Sequence, residues 1–237
     1  MGSIPCAKCK KGCSAEFLGT YLLVLFGAGS VIVSTFIKGI ISLVFVASIF
    51  GGTVALVILL LGKHSGAHIN PAVTLAHAFA RKARADIVLP YLCFQALGGI
   101  VAAFTLRLFF LNQSVMPADL GSTELAVGVT PLYGILFEAI GTFLLCSAAL
   151  TATFYVRRPI RQAVLVGGTL FLLILLIGHL TGASFNPARS IGPALSSGDW
   201  SNILVYLIGP LLGALVAAIP FRLSQRETKL EFSPCPC

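Results

Sequence analysis

Charge is the scarcest ingredient of this 237-residue chain: Asp, Glu, Lys and Arg together make up 10% of it, well under the roughly 25% of a soluble globular domain. Acidic residues are rarer still, eight against sixteen basic ones. Few carboxylates are left for acid–base chemistry or for a metal site. No H-E-x-x-H or G-x-S-x-G arrangement occurs, so an intramembrane enzyme would lack a nucleophile and base at recognisable spacing. The four histidines, His64, His68, His77 and His179, do not show metal-ligand spacing either, and no cofactor or metal is expected. The seven cysteines do not form a disulfide framework. Cys93 and Cys146 fall inside apolar stretches as small core residues, while Cys6, Cys9, Cys13, Cys235 and Cys237 cluster at the two ends, where free or acylated thiols are preferred to a zinc site. A cleavable leader is not visible: residues 1–14 are polar, and the apolar stretch after them is too long for the core of a signal peptide.

Apolar residues fill the remaining space, at 57% of the chain. Six stretches reach the roughly 20 residues that a helix needs to cross a bilayer core: Ala15 to Phe36, Ile40 to Leu61, Val88 to Phe110, Pro131 to Tyr155, Ile160 to Gly178 and Ile203 to Phe221. Six crossings put both termini on one side. All basic residues except Lys38, Arg107 and Arg189 lie at the termini or in the second and fourth connections, and the positive-inside rule makes that side cytoplasmic. The net charge of +8 therefore reads as topology and attraction to anionic lipid headgroups, with no nucleic-acid partner expected. Arg107, near the end of the third span, reads as a side chain snorkelling to the interface.

The tripeptide Asn-Pro-Ala occurs twice, as Asn70-Pro71-Ala72 and Asn186-Pro187-Ala188, each preceded by a Gly-Ala pair, Gly66-Ala67 and Gly182-Ala183. Asn is a favoured cap and Pro is tolerated at the first helical position, so each tripeptide starts a helix. The helices, about Pro71 to Ala80 and Pro187 to Leu195, are too short to span a bilayer. The two halves repeat elsewhere as well. Glu16-Phe17-Leu18-Gly19-Thr20 is echoed by Glu138-Ala139-Ile140-Gly141-Thr142, and the third and sixth spans both open on Tyr-Leu and reach a glycine seven residues later, Gly98 and Gly213. With three spans per half, the second half must enter from the opposite face, so the repeats are inverted and the two short helices meet near the midplane.

In these motifs the chain resembles the aquaporins, or major intrinsic proteins, over about residues 15–221, with filter features similar to the glycerol-conducting and plant nodulin-type branches. The residues that carry the likeness are Ser65 to Thr74, Gly182 to Ser190 and the repeated Glu-x-x-Gly-Thr. The resemblance implies an all-α membrane protein with six transmembrane helices plus two re-entrant half-helices, one pore per subunit and four subunits per assembly. On that reading residues 1–14 and 222–237 are cytoplasmic tails around a channel domain of 15–221, with repeats of about 15–110 and 131–221. It also implies that Glu16 and Glu138 brace the pore loops, that the membrane is the plasma membrane, and that Phe50, Ile174, Ala183 and Arg189 form the outer constriction.

The mechanism expected is passive. The positive ends of both half-helices point at one midplane spot, where Asn70 and Asn186 donate N–H groups to a passing oxygen. The carbonyls of Gly66, Ala67, His68 and Ile69, and of Gly182, Ala183, Ser184 and Phe185, are expected to accept along the rest of the path. Water-selective members carry a histidine where this chain has Ile174, and leucine at Leu207 resembles the glycerol and nodulin-type branches, whereas Ser190 and Ala194 are water-channel-like. The expected cargo is water with small uncharged solutes such as glycerol, metalloid hydroxides or ammonia. A strictly water-selective pore and an ion-coupled transporter are the alternatives, the latter needing Glu16 or Glu138 to titrate during transport. His68 is expected to line the pore, and His77 and His179 to be structural.

Overall fold

The computed structural model describes residues 7–35, 40–110 and 120–224. Cys6, Cys235 and Cys237, together with Lys38, Arg226 and Lys229, lie outside the described residues. The chain forms α1 (Ala7–Ser34), α2 (Ile40–Ser65), α3 (Pro71–Phe79), α4 (Ala85–Phe110), α5 (Pro131–Tyr155), α6 (Pro159–Thr181), α7 (Pro187–Ser197) and α8 (Ile203–Ser224). All except α3 and α7 are long and apolar enough to cross a membrane. The two short helices have nine and eleven residues, about 14 and 17 Å of rise, and each covers roughly half of the hydrocarbon core.

Hydropathy located the spans, and backbone hydrogen bonding extended them. α1 starts at Ala7 rather than Ala15, because Lys and Ala have high helix propensity whatever their hydropathy. α2 runs on to Ser65 and α6 to Thr181, so the pore loops start directly from helix ends. Gly182 terminates α6 in the left-handed region, at φ 73°, with its N–H bonded to the Gly178 carbonyl, as a C-terminal glycine commonly does. α3 and α7 begin as the tripeptides require. The Asn70 side chain accepts from the Ala72 N–H, Asn186 accepts from those of Ala188 and Arg189, and both prolines fill the first turn.

Helix packing follows the internal duplication. α1 packs on α4 as α5 packs on α8, α7 on α4 as α3 on α8, and α2 lies against its own counterpart α6. Close approach depends on missing side chains. A Cβ on Gly98 would strike the Phe17 carbonyl oxygen, and one on Gly213 would strike that of Ala139, the same contact in the two halves. At the centre, a Cβ on Gly51 would sit 2.6 Å from the Gly167 carbonyl oxygen and one on Gly167 would sit 2.5 Å from that of Gly51. The two-fold relation between the halves passes between these glycines. Large apolar side chains such as Phe26, Leu108, Phe109 and Leu176 face outward, where lipid rather than water is their solvent.

The α2–α6 crossing predicts a contrast between adjacent residues. Gly167→Ala should lower the thermal midpoint of the protein in detergent, by a free energy on the order of 1–3 kcal/mol typical of overpacking against atoms that cannot rotate away. Gly168→Ala, where nothing lies within 4 Å, should leave the midpoint unchanged. Equal midpoints for the two variants would contradict the crossing.

Candidate functional site

Both pore loops are held in backbone conformations that most residues avoid. Gly66, Ala67 and Ile69 have φ of 88°, 50° and 44°, and Gly182, Ala183 and Phe185 have 73°, 46° and 51°. A β-branched residue such as Ile69 is especially ill-suited to this region, and each such residue costs about 1–3 kcal/mol unless its surroundings hold it there. The loops are also non-helical backbone at membrane depth, where each unpaired N–H is expensive.

Two fully buried carboxylates meet both demands. Glu16 on α1 accepts from the N–H groups of His68 at 2.9 Å and Ile69 at 2.6 Å, and Glu138 on α5 accepts from those of Ser184 at 3.0 Å and Phe185 at 2.7 Å. The hydroxyls of Ser65 and Thr181 occupy matching places: each bonds its glutamate and receives the N–H of Ala67 or Ala183. The Tyr91 hydroxyl donates to the Ser65 carbonyl and the Tyr206 hydroxyl to that of Thr181. The halves differ in one respect. Gln95 donates to both Glu16 and Thr74, whereas Pro210 stands at the corresponding place in α8. There Ser190 bonds to Ser184 and Thr123 instead.

The two loops are then tied across the midplane. Asn70 Nδ2 donates to the Phe185 carbonyl at 2.8 Å, and Asn186 Nδ2 donates to the Ile69 carbonyl at 2.9 Å. An asparagine amide has two N–H groups, so each side chain keeps a second donor on the lumen side while its oxygen caps its own helix. The Ile69 and Phe185 carbonyls thus each hold the opposing asparagine and keep one further lone pair.

A cavity of about 80 Å³ lies within the bundle. Phe50, Gly66, Ala67, His68, Ile69, Asn70, Ser184, Asn186 and Arg189 line it. Gly182, Phe185, Ile174 and Ala183 do not. The Phe185 ring turns outward into the space left by the missing side chain of Gly141, as Ile69 turns toward Gly19. Ile174 and Ala183 both approach Gly178 and are buried. The Arg189 guanidinium stands 5.2 Å from the centre of the Phe50 ring, and its NH1 donates to the Gly121 carbonyl at 2.8 Å.

Several contributors carried no sequence signal. Gly121 lies in a connection, and nothing in its neighbourhood marks it as the anchor of Arg189. His77, read as structural, lines the cavity with its ring stacked on His68 at 4.4 Å, and both of its nitrogens are engaged, with the Val73 carbonyl and the Thr153 hydroxyl. Arg107 does more than snorkel, since its guanidinium donates to the Ser196 carbonyl in the last turn of α7, where helix carbonyls lack partners. Tyr91 and Tyr206 did leave a signal, as the repeated Tyr-Leu of α4 and α8.

Comparison with known proteins follows this geometry. The family model described as "Major intrinsic protein" matches residues 4–221. Aquaporin NIP1-1 of Arabidopsis thaliana is 37% identical over 211 residues, covering 86% of this chain and 70% of that protein. Nodulin-26 of Glycine max is 36% identical over 221 residues, covering 91% and 78%. Among solved structures, the aquaglyceroporin from Plasmodium falciparum superposes with a TM-score of 0.81 at 23% identity, covering 90% of this chain and 96% of that one. At that identity the likeness concerns the fold.

The brace predicts a specific failure. Glu138→Gln replaces one carboxylate oxygen by an amide that faces only donors, the N–H groups of Ser184 and Phe185 and the Thr181 hydroxyl. Each orphaned buried donor costs about 1–3 kcal/mol. The thermal midpoint should fall, and water permeability of reconstituted vesicles should drop several-fold per incorporated protein. A variant with unaltered midpoint and flux would remove the brace from the mechanism.

Proposed function

Since the chain belongs to the major intrinsic protein family, we propose that it is a passive channel for water and small uncharged solutes such as glycerol, metalloid hydroxides or ammonia. The observation that carries this reading is the pair of asparagine amides, each fixed by the opposite loop and each with one N–H left for the lumen. A solute oxygen passing the midplane exchanges hydration for these donors at little reorganisation cost. On either side of it the carbonyls of Gly66, Ala67, His68 and Ser184, residues that line the cavity, offer acceptors. The N-terminal ends of α3 and α7 both direct positive potential at the same place, which opposes protons and other cations.

Selection among neutral solutes falls to Phe50, Ile174, Ala183 and Arg189. Arg189 supplies donors from one side, and the aromatic and aliphatic groups supply an apolar wall that offers water no compensating partner. Such a ring suits a solute with one hydrogen-bonding edge and one apolar edge. The commitment of Glu16 and Glu138 to loop N–H groups speaks against the ion-coupled alternative, since a carboxylate that titrated during transport would release the loops it holds. The protein works as an integral multi-pass membrane protein. Its termini lie on the cytoplasmic side by the positive-inside rule, the plasma membrane is its site, and four copies associate through their lipid-facing helices, each with its own pore.

Stopped-flow measurements on proteoliposomes test this reading. Water and glycerol should both cross at rates far above those of empty vesicles, unaffected by collapsing the proton gradient. Ile174→His, which adds a polar group to the ring, should lower the glycerol-to-water ratio by roughly tenfold, the scale on which a pocket of this kind discriminates. Absence of glycerol flux in the unaltered protein would restrict the channel to water, and flux that collapsed with the gradient would make it a transporter.

A further inference from the structure

The duplication supplies an image of the outer ring that no motif marks. Pairing the halves through Asn70 and Asn186 matches Phe50 with Val166, Ile174 with Ile58, Ala183 with Ala67, and Arg189 with Val73. The four partners lie on the terminal side of the asparagine pair, and all four line the cavity, whereas only Phe50 and Arg189 of the outer set do so. The same four positions therefore all line the cavity on one side, and only through Phe50 and Arg189 on the other. The cause is visible in the substitutions. Valine replaces the arginine whose guanidinium reaches across to Phe50, and valine also replaces the phenylalanine.

The cavity has two chemically different walls. Ile58, Val73 and Val166 present hydrocarbon, while the loop backbone of Gly66 to His68, the Thr153 hydroxyl and the His77 ring present polar groups on the path toward the termini. We propose that Val73 and Val166, with Ile58 and Ala67, form a second selection site. It holds a neutral, amphipathic solute between the asparagine pair and the terminal-side mouth, and its width sets the largest solute that completes the passage. This rests on the reading of the protein as a channel for small neutral solutes. The outer ring tests hydrogen bonding to an arginine, and the inner one, having no cation, tests size and apolar fit alone.

Filling the cavity is the direct test. Val166→Phe restores the outer pattern, but with one difference. The Phe50 ring occupies space that a Cβ on Gly27 would need, and the matching position, found by pairing Glu16 with Glu138, is Ala149. With a methyl group there, the introduced ring is driven toward the lumen. Glycerol permeability of proteoliposomes, corrected for incorporated protein, should fall at least tenfold while water permeability falls less than threefold. Val166→Ala, which risks no overpacking, should raise the permeability of a four-carbon polyol relative to glycerol at least threefold. Parallel losses of water and glycerol in the first variant, or an unchanged polyol-to-glycerol ratio in the second, would overturn the inner site. The unaltered protein measured alongside separates the two readings, because absent glycerol flux there refutes the broader function and not this site.

Discussion

The bilayer core offers no water to an unpaired backbone group, and the pore loops of this protein exist only because Glu16 and Glu138 supply what water cannot. Each glutamate accepts from two consecutive N–H groups, which holds the loop backbone in place. The same loops carry left-handed φ values at Gly66, Ala67 and Ile69 and at Gly182, Ala183 and Phe185. Once N–H groups turn toward the helix bundle, the carbonyls of those loops turn the other way. A polar stripe along an otherwise apolar lumen is the geometric by-product of satisfying donors elsewhere.

The asparagine pair completes that arrangement. Each asparagine uses its oxygen to start a half-helix and one N–H to hold the opposite loop. Cap, crosslink and lumen donor are thus a single side chain. Small residues let the parts come close enough for this to work. A Cβ on Gly192 would strike the Gly99 backbone, and one on Gly99 the Ala188 carbonyl. On the other side of the molecule Ala72, Ala76 and Ala214 are fully buried. In a membrane, where apolar groups gain nothing by leaving lipid, such close backbone approach is the main source of helix association.

Inverted duplication produces matching scaffolds but does not require matching linings. The braces, the hydroxyls that flank them and the tyrosines behind them agree in both halves to within a few tenths of an ångström. Side chains that meet solute do not: Arg189 faces Val73 in the repeat, and Phe50 faces Val166. Residues under the constraint of satisfying buried backbone had little freedom to diverge. Those facing the lumen had only to remain compatible with a passing solute, and this is where the two entrances of the pore became different.

The sequence by itself determined the six spans, the inverted repeat and the two half-helix starts at Asn70 and Asn186, because hydropathy, capping and repetition are local or periodic signals, while the bracing by Glu16 and Glu138 was implied by the family resemblance. It placed helix ends less well, since α1 and α2 continue past their apolar stretches on backbone hydrogen bonds to which hydropathy is blind. Tertiary structure alone decided that the Ile69 and Phe185 carbonyls hold the opposing asparagines, that Gly121 anchors Arg189, and that His77 stacks on His68 beside the cavity. These facts depend on distances between residues far apart in the chain. Residue type and spacing do not encode such distances until the two halves have closed on each other.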